Sequence, residues 1–513
     1  MASRIYPLTS LPGIKKDGTT FASSHYTDGQ WCRFQRGLPR KMGGYQEIVS
    51  LTRPPSGLLI VPQEESFLVV LGDSHGIQTF TMNGSGLKTS DLKDRTPREF
   101  VRSADTLWQF ATLLTQSDGT EWLIASGPPN LSSIASSQET PVYIGKLFSQ
   151  EPLVPLTTVS GKPIVTAGGI VTLGPYLMVF GNGGLVQWSD ATDPRVFPDA
   201  NFAVVTNRKI VKGLPARGGT ASPAGLLWSL DSLLRVTFHP DADGKPNFRF
   251  DTVTSESSIL SSQSVIEYDG LFFWTGVDRF LMYNGVVQEI PNPLNLDWFY
   301  VSTHEQGVNM AHRQQVWATK VPQYGEIWWF FPRGSETHVT EAVIFNLREK
   351  TWYSCVIPRC CGYFEQVFAH PVWASSVNEG GGYPLWQHEY GWCQLWNNGD
   401  QKGIPSHFTT GDLSWCGVGP NGQWMGLDRQ VLLSRLEPDF KMTGTLKLEI
   451  LSRDYAQGLT QTSKHSVIAP QTDKLDLRAQ GREMRLRFSC EDVDDTYEMG
   501  KILLTLDFGE GRA

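Results

Sequence analysis

Several short strings in this 513-residue chain have the residue types that chemistry requires. Gly72-Asp-Ser74-His-Gly76 matches the G-x-S-x-G nucleophile elbow, which exposes a serine on a strand-to-helix turn. The alternating run Ile77-Gln-Thr-Phe80 follows it, so the string reads as a hairpin turn between strands. Asp241-Ala-Asp243-Gly244-Lys-Pro-Asn247 resembles half of a calcium loop, but no bidentate Glu closes it, and Asp-Gly is a common hairpin turn. Cys355, Cys360, Cys361, Cys393 and Cys416 fall near His370, His388 and His407, without the paired C-x-x-C spacing of a zinc site, so buried β-core cysteine is the expectation. Ser117-Asp-Gly-Thr-Glu-Trp122 has the residue types of an Asp box, Ser-x-Asp-x-Gly-x-x-Trp, but not its spacing. No cluster of arginines and paired carboxylates stands out for general-acid work on a glycoside. Trp328, Trp329, Trp386, Trp392 and Trp396 could stack sugars or bases, though a β core accounts for them equally well. The sequence therefore assigns no catalytic, cofactor or metal residue, and the expectation is a chain that is not an enzyme.

The elements that would carry these residues are short strands. Val265-Ile-Glu-Tyr-Asp-Gly-Leu-Phe-Phe-Trp-Thr-Gly-Val-Asp-Arg-Phe-Leu-Met-Tyr-Asn-Gly-Val-Val-Gln-Glu-Ile-Pro291 reads as strands separated by Asp-Gly, Thr-Gly-Val-Asp and Asn-Gly turns. Tyr176-Leu-Met-Val-Phe-Gly181-Asn-Gly-Gly-Leu-Val-Gln-Trp188 repeats the separation between Gly276 and Tyr283, and Phe67 to Phe80 repeats it one residue longer. Gly225 to Phe238 and Glu326 to Tyr353 add further pairs. Repeated meanders of this kind build a β-propeller, here of about six to eight blades over residues 46–425. The 50 Gly, 31 Pro and 17 Trp, with 19% charged residues, fit a turn-dense all-β chain.

Residues 1–45 read as an extended N-terminal arm, with Arg33, Arg36, Arg40 and Lys41 forming a basic stretch. The stretch is expected to be solvated or to lie along a rim; the sharper reading is a contact with an acidic neighbour or DNA. From residue 426 to 513, Leu446–Ile450, Met484–Phe488 and Ile502–Phe508 alternate apolar and polar, as in an antiparallel sandwich-like domain, with Glu491–Asp495 as an acidic loop. A net charge of -8 argues against a reader holding phosphates in a basic groove. Pro163 to Ser189 is uncharged, but its glycines would break a spanning helix, so no membrane-spanning segment is expected. The N-terminus lacks a signal peptide's apolar core, and seven cysteines fit a reduced cytosolic origin.

Asp269-Gly-Leu-Phe-Phe-Trp…Arg279-Phe-Leu-Met-Tyr-Asn-Gly285, with Ser261-Ser-Gln-Ser before it, resembles the propeller-bearing tail hub or nozzle of short-tailed bacteriophages, the packaged-DNA stabilisation proteins. Trp188 to Phe197, the Trp31 to Tyr45 segment and Gln480 to Phe488 are also similar to segments of that family. The resemblance implies a structural virion protein made in the host cytoplasm. Six copies would form a homo-oligomeric ring below the portal and adaptor, contacting tail fibres or a needle. The ring would retain packaged double-stranded DNA and conduct it at genome ejection. The alternative is a carbohydrate-active or glycan-binding propeller, either a virion-borne depolymerase or an adhesin.

Overall fold

The computed structural model describes residues 3–20, 23–83, 90–103, 107–115, 118–127, 134–216, 222–240, 247–301, 306–364, 370–414, 417–418, 424–425, 429–455 and 457–511. The chain is all-β, built from many four-stranded antiparallel sheets arranged as a propeller. Seven antiparallel meanders follow one another among the described residues, and their inner strands begin at Gly57, Gln109, Gly169, Ile210, Ile266, Trp317 and Arg359. Five of them are four-stranded sheets, the second is five-stranded, and the last is part of a six-stranded sheet. Each sheet stands on edge and buries both faces against its neighbours, so its strands read as continuous apolar runs rather than alternating ones. Glu326–Phe331 (Glu-Ile-Trp-Trp-Phe-Phe) is buried at every position.

A separate apolar core fills each wedge between neighbouring meanders. Leu59, Val70 and Ile77 of the first pack on Trp108, Leu123 and Tyr143 of the second. Trp228 and Leu233 of the fourth meet Phe272 and Trp274 of the fifth, and Phe273 and Phe280 of the fifth meet Trp329 and Trp352 of the sixth. Burying one such large side chain contributes roughly 1.5–3 kcal/mol. The Val265–Pro291 motif forms the fifth meander with four strands, Ile266–Tyr268, Leu271–Thr275, Phe280–Tyr283 and Val287–Glu289. Gly276 and its counterpart Gly181 each open the turn between second and third strands, their N–H groups bonding Arg279 O (2.8 Å) and Leu185 O (3.1 Å).

The ring closes through the other end of the chain. Tyr45–Leu51 pairs antiparallel with Tyr383–His388 and supplies the fourth strand of the last meander, whose other strands are Arg359–Tyr363 and Val372–Ser375. Leu385 and Ala374 then pack with Ile60 and Val69 of the first meander.

Residues before Tyr45 join strands from the C-terminal region. Asp28–Gln30 extends a sheet through Ser406–Thr409, Glu483–Cys490, Leu446–Arg453 and Gln461–Ile468. Arg4–Pro7 pairs with Leu503–Gly511, and Cys32–Gln35 with Leu38–Lys41. Leu446–Arg453 alternates buried and outward positions, the pattern of a half-covered sheet. Phe408, Leu448 and Phe488 share one core with Trp328 and Phe330 of the sixth meander, which joins the appended sheets to the propeller. Pro163–Ser189, the uncharged stretch, runs as Gly169–Leu173, Tyr176–Phe180 and Leu185–Trp188. No helix among the described residues is long and apolar enough to cross a membrane.

Candidate functional site at the propeller axis

In an antiparallel meander the start of the first strand and the turn between the second and third lie at one end. Residues from both positions meet at one mouth of the ring. There, Ser56 and Gln315 precede inner strands, while Ser74, His338 and Ser376 belong to second-to-third turns, and they line a cleft of about 300 Å³. Among the described residues the lining contains no carboxylate. His338 Nδ1 lies 3.8 Å from Glu336 Oε2, and Gln315 Nε2 donates to Thr337 O at 2.7 Å.

Ser74 occupies the turn between Ser66–Asp73 and Gly76–Asn83, with strand on both sides and no helix. Its Oγ lies 3.0 Å from His75 Nδ1. Asp73 does not orient that imidazole. Its Oδ1 accepts the N–H groups of His75 (2.7 Å) and Gly76 (3.1 Å), and its Oδ2 accepts Arg53 Nε (3.0 Å). Gly76 has φ +144°, and a Cβ there would collide with Thr96. The G-x-S-x-G string is thus a hairpin turn whose serine faces a cleft, without the strained elbow or a third residue behind the base.

Gln263, just before the fifth meander, crosses the axis below this cleft. Its Nε2 reaches Ser56 O at 3.3 Å and Trp108 O at 3.5 Å, which belong to the first and second meanders. Its carbonyl accepts the Ala318 N–H of the sixth meander at 2.9 Å. Beyond it lies an axial cavity of about 480 Å³ lined from all seven meanders, by Leu58, Phe110, Thr172, Lys212, Ile266, Ala318 and Gly362. That cavity shares Leu214, Ile266, Ala318 and Gly362 with a wider lobe of about 540 Å³ at the opposite mouth, where Lys320 Nζ meets Glu267 O (2.9 Å) and Oε2 (3.4 Å).

The other sequence candidates sit elsewhere. Cys355 and Cys361 are buried, Cys360 and Cys393 half-buried, and all four are free thiols; Cys416 lies outside the described residues. Burial pushes the Cys355 thiol well up, and the Cys361 thiol is raised by its bond with Cys360 and by burial. His388 Nε2 accepts from Arg359 Nε at 3.0 Å and His407 Nε2 bonds Asp28 Oδ2 at 2.8 Å, so the histidines do not converge with the cysteines. Burial and the Arg359 charge push the His388 imidazole far below its ordinary range. Among the described residues no three His, Cys, Asp or Glu side chains gather as a metal would need. The calcium-like string lies outside the described residues except Asn247, whose side chain caps the Phe248 N–H at 2.8 Å. Ser117 is also outside them; Asp118 accepts Thr120 N–H (3.0 Å) in a hairpin turn, and Trp122 is buried. Trp328, Trp329 and Trp386 are core residues, and Trp396 packs edge-on against Trp386 at 4.9 Å.

The basic stretch is corrected most sharply: it is not a solvated run. Arg33 is buried beside two carboxylates, with Nε to Glu326 Oε1 at 2.9 Å and Nη1 to Glu389 Oε2 at 2.8 Å, and its guanidinium stacks 3.6 Å from the Tyr324 ring. Glu326 also accepts Trp328 Nε1 (2.9 Å) and the Tyr353 hydroxyl (2.5 Å). Glu389 sits at φ +59°, a strained conformation for a non-glycine residue. Lys41 is fully buried and donates to Asp495 O at 2.7 Å. Only Arg36 is exposed, and Arg40 is half-buried against Gln35.

No protein-family model matches the chain, and no curated protein matches it. Similar solved structures include an ancestral GH74 enzyme (TM-score 0.41, 11% identity, 71% of this chain and 51% of that one), so the chain spans about half the length of that relative. The computationally designed Ika8 protein is similar at TM-score 0.35 and 10% identity, over 67% of this chain and 99% of that one. So is an exo-beta-1,3-galactanase from Phanerochaete chrysosporium, at TM-score 0.27 and 10% identity over 91% and 99%. Two of these proteins are carbohydrate enzymes by name, and the expectation that the chain is not an enzyme is withdrawn on that finding. At such scores no substrate and no residue role transfers to this chain. No family model or curated protein ties the chain to phage tails.

Sequence reading missed His338, Gln263, Gln315 and Lys212. One signal was present: Lys212 interrupts an otherwise apolar inner strand, Ile210–Ala216.

Proposed function

We propose that the chain is a glycan-binding or carbohydrate-active propeller that takes a neutral saccharide in the 300 Å³ cleft at the ring mouth. The lining carries the reading. Serine hydroxyls, the amides of Gln263 and Gln315 and the apolar faces of Pro54, Pro55 and Leu107 match a polyhydroxylated, uncharged ligand. His338, which lines the cleft, and Glu336 3.8 Å from it form an imidazole–carboxylate pair able to move a proton. The test is a panel of neutral polysaccharides assayed for retention and for release of reducing sugar. Retention of at least one is expected, weakened about tenfold in Gln315→Ala through loss of an oriented hydrogen bond. Glu336→Gln distinguishes the two forms of the reading, since it suppresses sugar release without abolishing retention. If no neutral glycan is retained or cleaved, the reading fails.

A second reading, the ring-forming phage tail subunit, is supported by the outer edge of the second and third meanders. Val154, Val159, Phe202 and Val204 are 54–69% exposed there, and Phe202–Val204 pairs on one side only among the described residues. Exposed apolar edge strands invite a neighbouring chain. A six-copy species in native mass measurement would support this reading, placing the chain in the virion tail beside portal, adaptor and DNA. A monomer at micromolar concentration would remove it.

A further inference from the structure

Among the described residues the axial cavity has one charged residue in its lining, Lys212, and none of them neutralises it. Lys212 lies on the inner strand of the fourth meander, among Leu, Ile, Val, Phe and Trp side chains and the hydroxyls of Thr112 and Thr172. No Asp or Glu among the described residues lines this cavity. The adjoining lobe has one carboxylate among the described residues of its lining, Glu267, which is bonded to Lys320 and to the Gly270 N–H (2.5 Å). Among the described residues Lys212 makes no ion pair or side-chain hydrogen bond. By contrast, the fully buried cations Arg33, Lys41 and Arg95 all have partners: Arg33 two carboxylates, Lys41 and Arg95 backbone carbonyls.

A half-buried ammonium without a counter-ion is costly, and an anion entering the cavity would remove that cost. We propose that the axial cavity is an oxyanion site in which Lys212 receives the carboxylate or phosphate of a small organic anion, with Thr112 and Thr172 as neutral donors. The volume of about 480 Å³ suits a small metabolite-sized ligand, and the apolar walls suit a non-polar body behind the charged group. Entry is from the lobe containing Glu267 and Lys320, because Gln263 bars the axis on the cleft side. The site therefore stands apart from the neutral cleft and does not rest on the glycan reading. Burial alone holds the Lys212 ammonium down at about 8, consistent with the lack of any neighbouring anion.

Thermal unfolding of the full chain tests this, with sodium phosphate and sodium acetate titrated separately against sodium chloride at matched ionic strength. A saturable rise of roughly 2–4 °C beyond chloride is expected in wild type, retained in Lys212→Arg and abolished in Lys212→Met. A response to phosphate alone assigns the site to phosphate esters, and one to acetate to carboxylates. No rise beyond chloride, or an equal rise in Lys212→Met, overturns the proposal. Should Lys212→Met fail to fold, wild type answers alone. Phosphate or acetate must slow acetylation of Lys212, read by peptide mass spectrometry, relative to exposed Lys501. Equal protection of both lysines also overturns it.

Discussion

Arg33 and Lys212 are both cations withdrawn from solvent, and the structure treats them in opposite ways. Arg33 sits where residues before Tyr45 cross the sixth and seventh meanders, and its guanidinium is met by Glu326, Glu389 and the Tyr324 face. Lys212 sits on the ring axis with an open cavity before it and no anion among the described residues of the lining. Charges that hold parts of one chain together carry their partners with them, because an uncompensated buried charge destabilises the fold. A charge left unpaired at a cavity has its partner outside the chain. The contrast separates the welded side of the molecule from its receptive axis.

The largest effect tests the weld. Arg33→Met strands Glu326 and Glu389 as buried carboxylates, and chemical denaturation should show a loss of about 3–5 kcal/mol. Arg33→Lys keeps the charge but not the fork reaching both acids, and should fall between wild type and Arg33→Met. If Arg33→Met unfolds at the wild-type midpoint, the cluster is no weld and the contrast with Lys212 collapses.

Lys212→Met tests the other side and should act with the opposite sign. An unfolded lysine titrates near 10.4 and folded Lys212 at about 8. Between those values the unfolded chain binds more protons, so wild-type stability rises with pH across that window; below 8 the folded state bears the full cost. The variant lacks this burden. It should be more stable than wild type by about 1–3 kcal/mol at pH 7, an advantage that shrinks from pH 8 to about 10.5. A pH-independent difference would mean that Lys212 is already neutralised.

How far the two regions could be read from sequence differs for a physical reason. Meander turns are local: Gly181 and Gly276 recur because the same turn recurs, and Gly72-Asp-Ser74-His-Gly76 betrays its hairpin through the alternating strand that follows. The alternation of Leu446–Arg453 and Glu483–Cys490 was legible for the same reason. The weld is not local. Arg33 and Glu326 are 293 positions apart, and only closure of the ring by Tyr45–Leu51 brings them together, so the basic stretch looked solvated. The mouth cleft draws Ser74, Gln263 and His338 from three different meanders, each ordinary in its own turn. Lys212 is legible only as a misfit, a lysine in an apolar strand, and its cavity exists only once all inner strands surround the axis.

The smallest effect sharpens the boundary of the weld where it reaches solvent. Asp28 is 43% exposed and bonds both Lys16 Nζ (2.7 Å) and His407 Nε2 (2.8 Å), joining its strand to Ser406–Thr409. Burial opposes its charge, but the bonds from His407 and Lys16 outweigh that and hold its carboxyl well below the usual carboxylate range. A depressed carboxyl stabilises the fold above its unfolded value and loses that contribution as pH falls. Wild type should therefore lead Asp28→Asn near neutrality, and the lead should shrink as pH drops below about 4. Solvent screening at this exposure limits the lead to under about 1 kcal/mol. A lead as large as that of Arg33 over Met would show that the weld extends to the surface and that burial does not set its strength. A lead that survives at pH 2 would show that shape rather than charge holds these strands together.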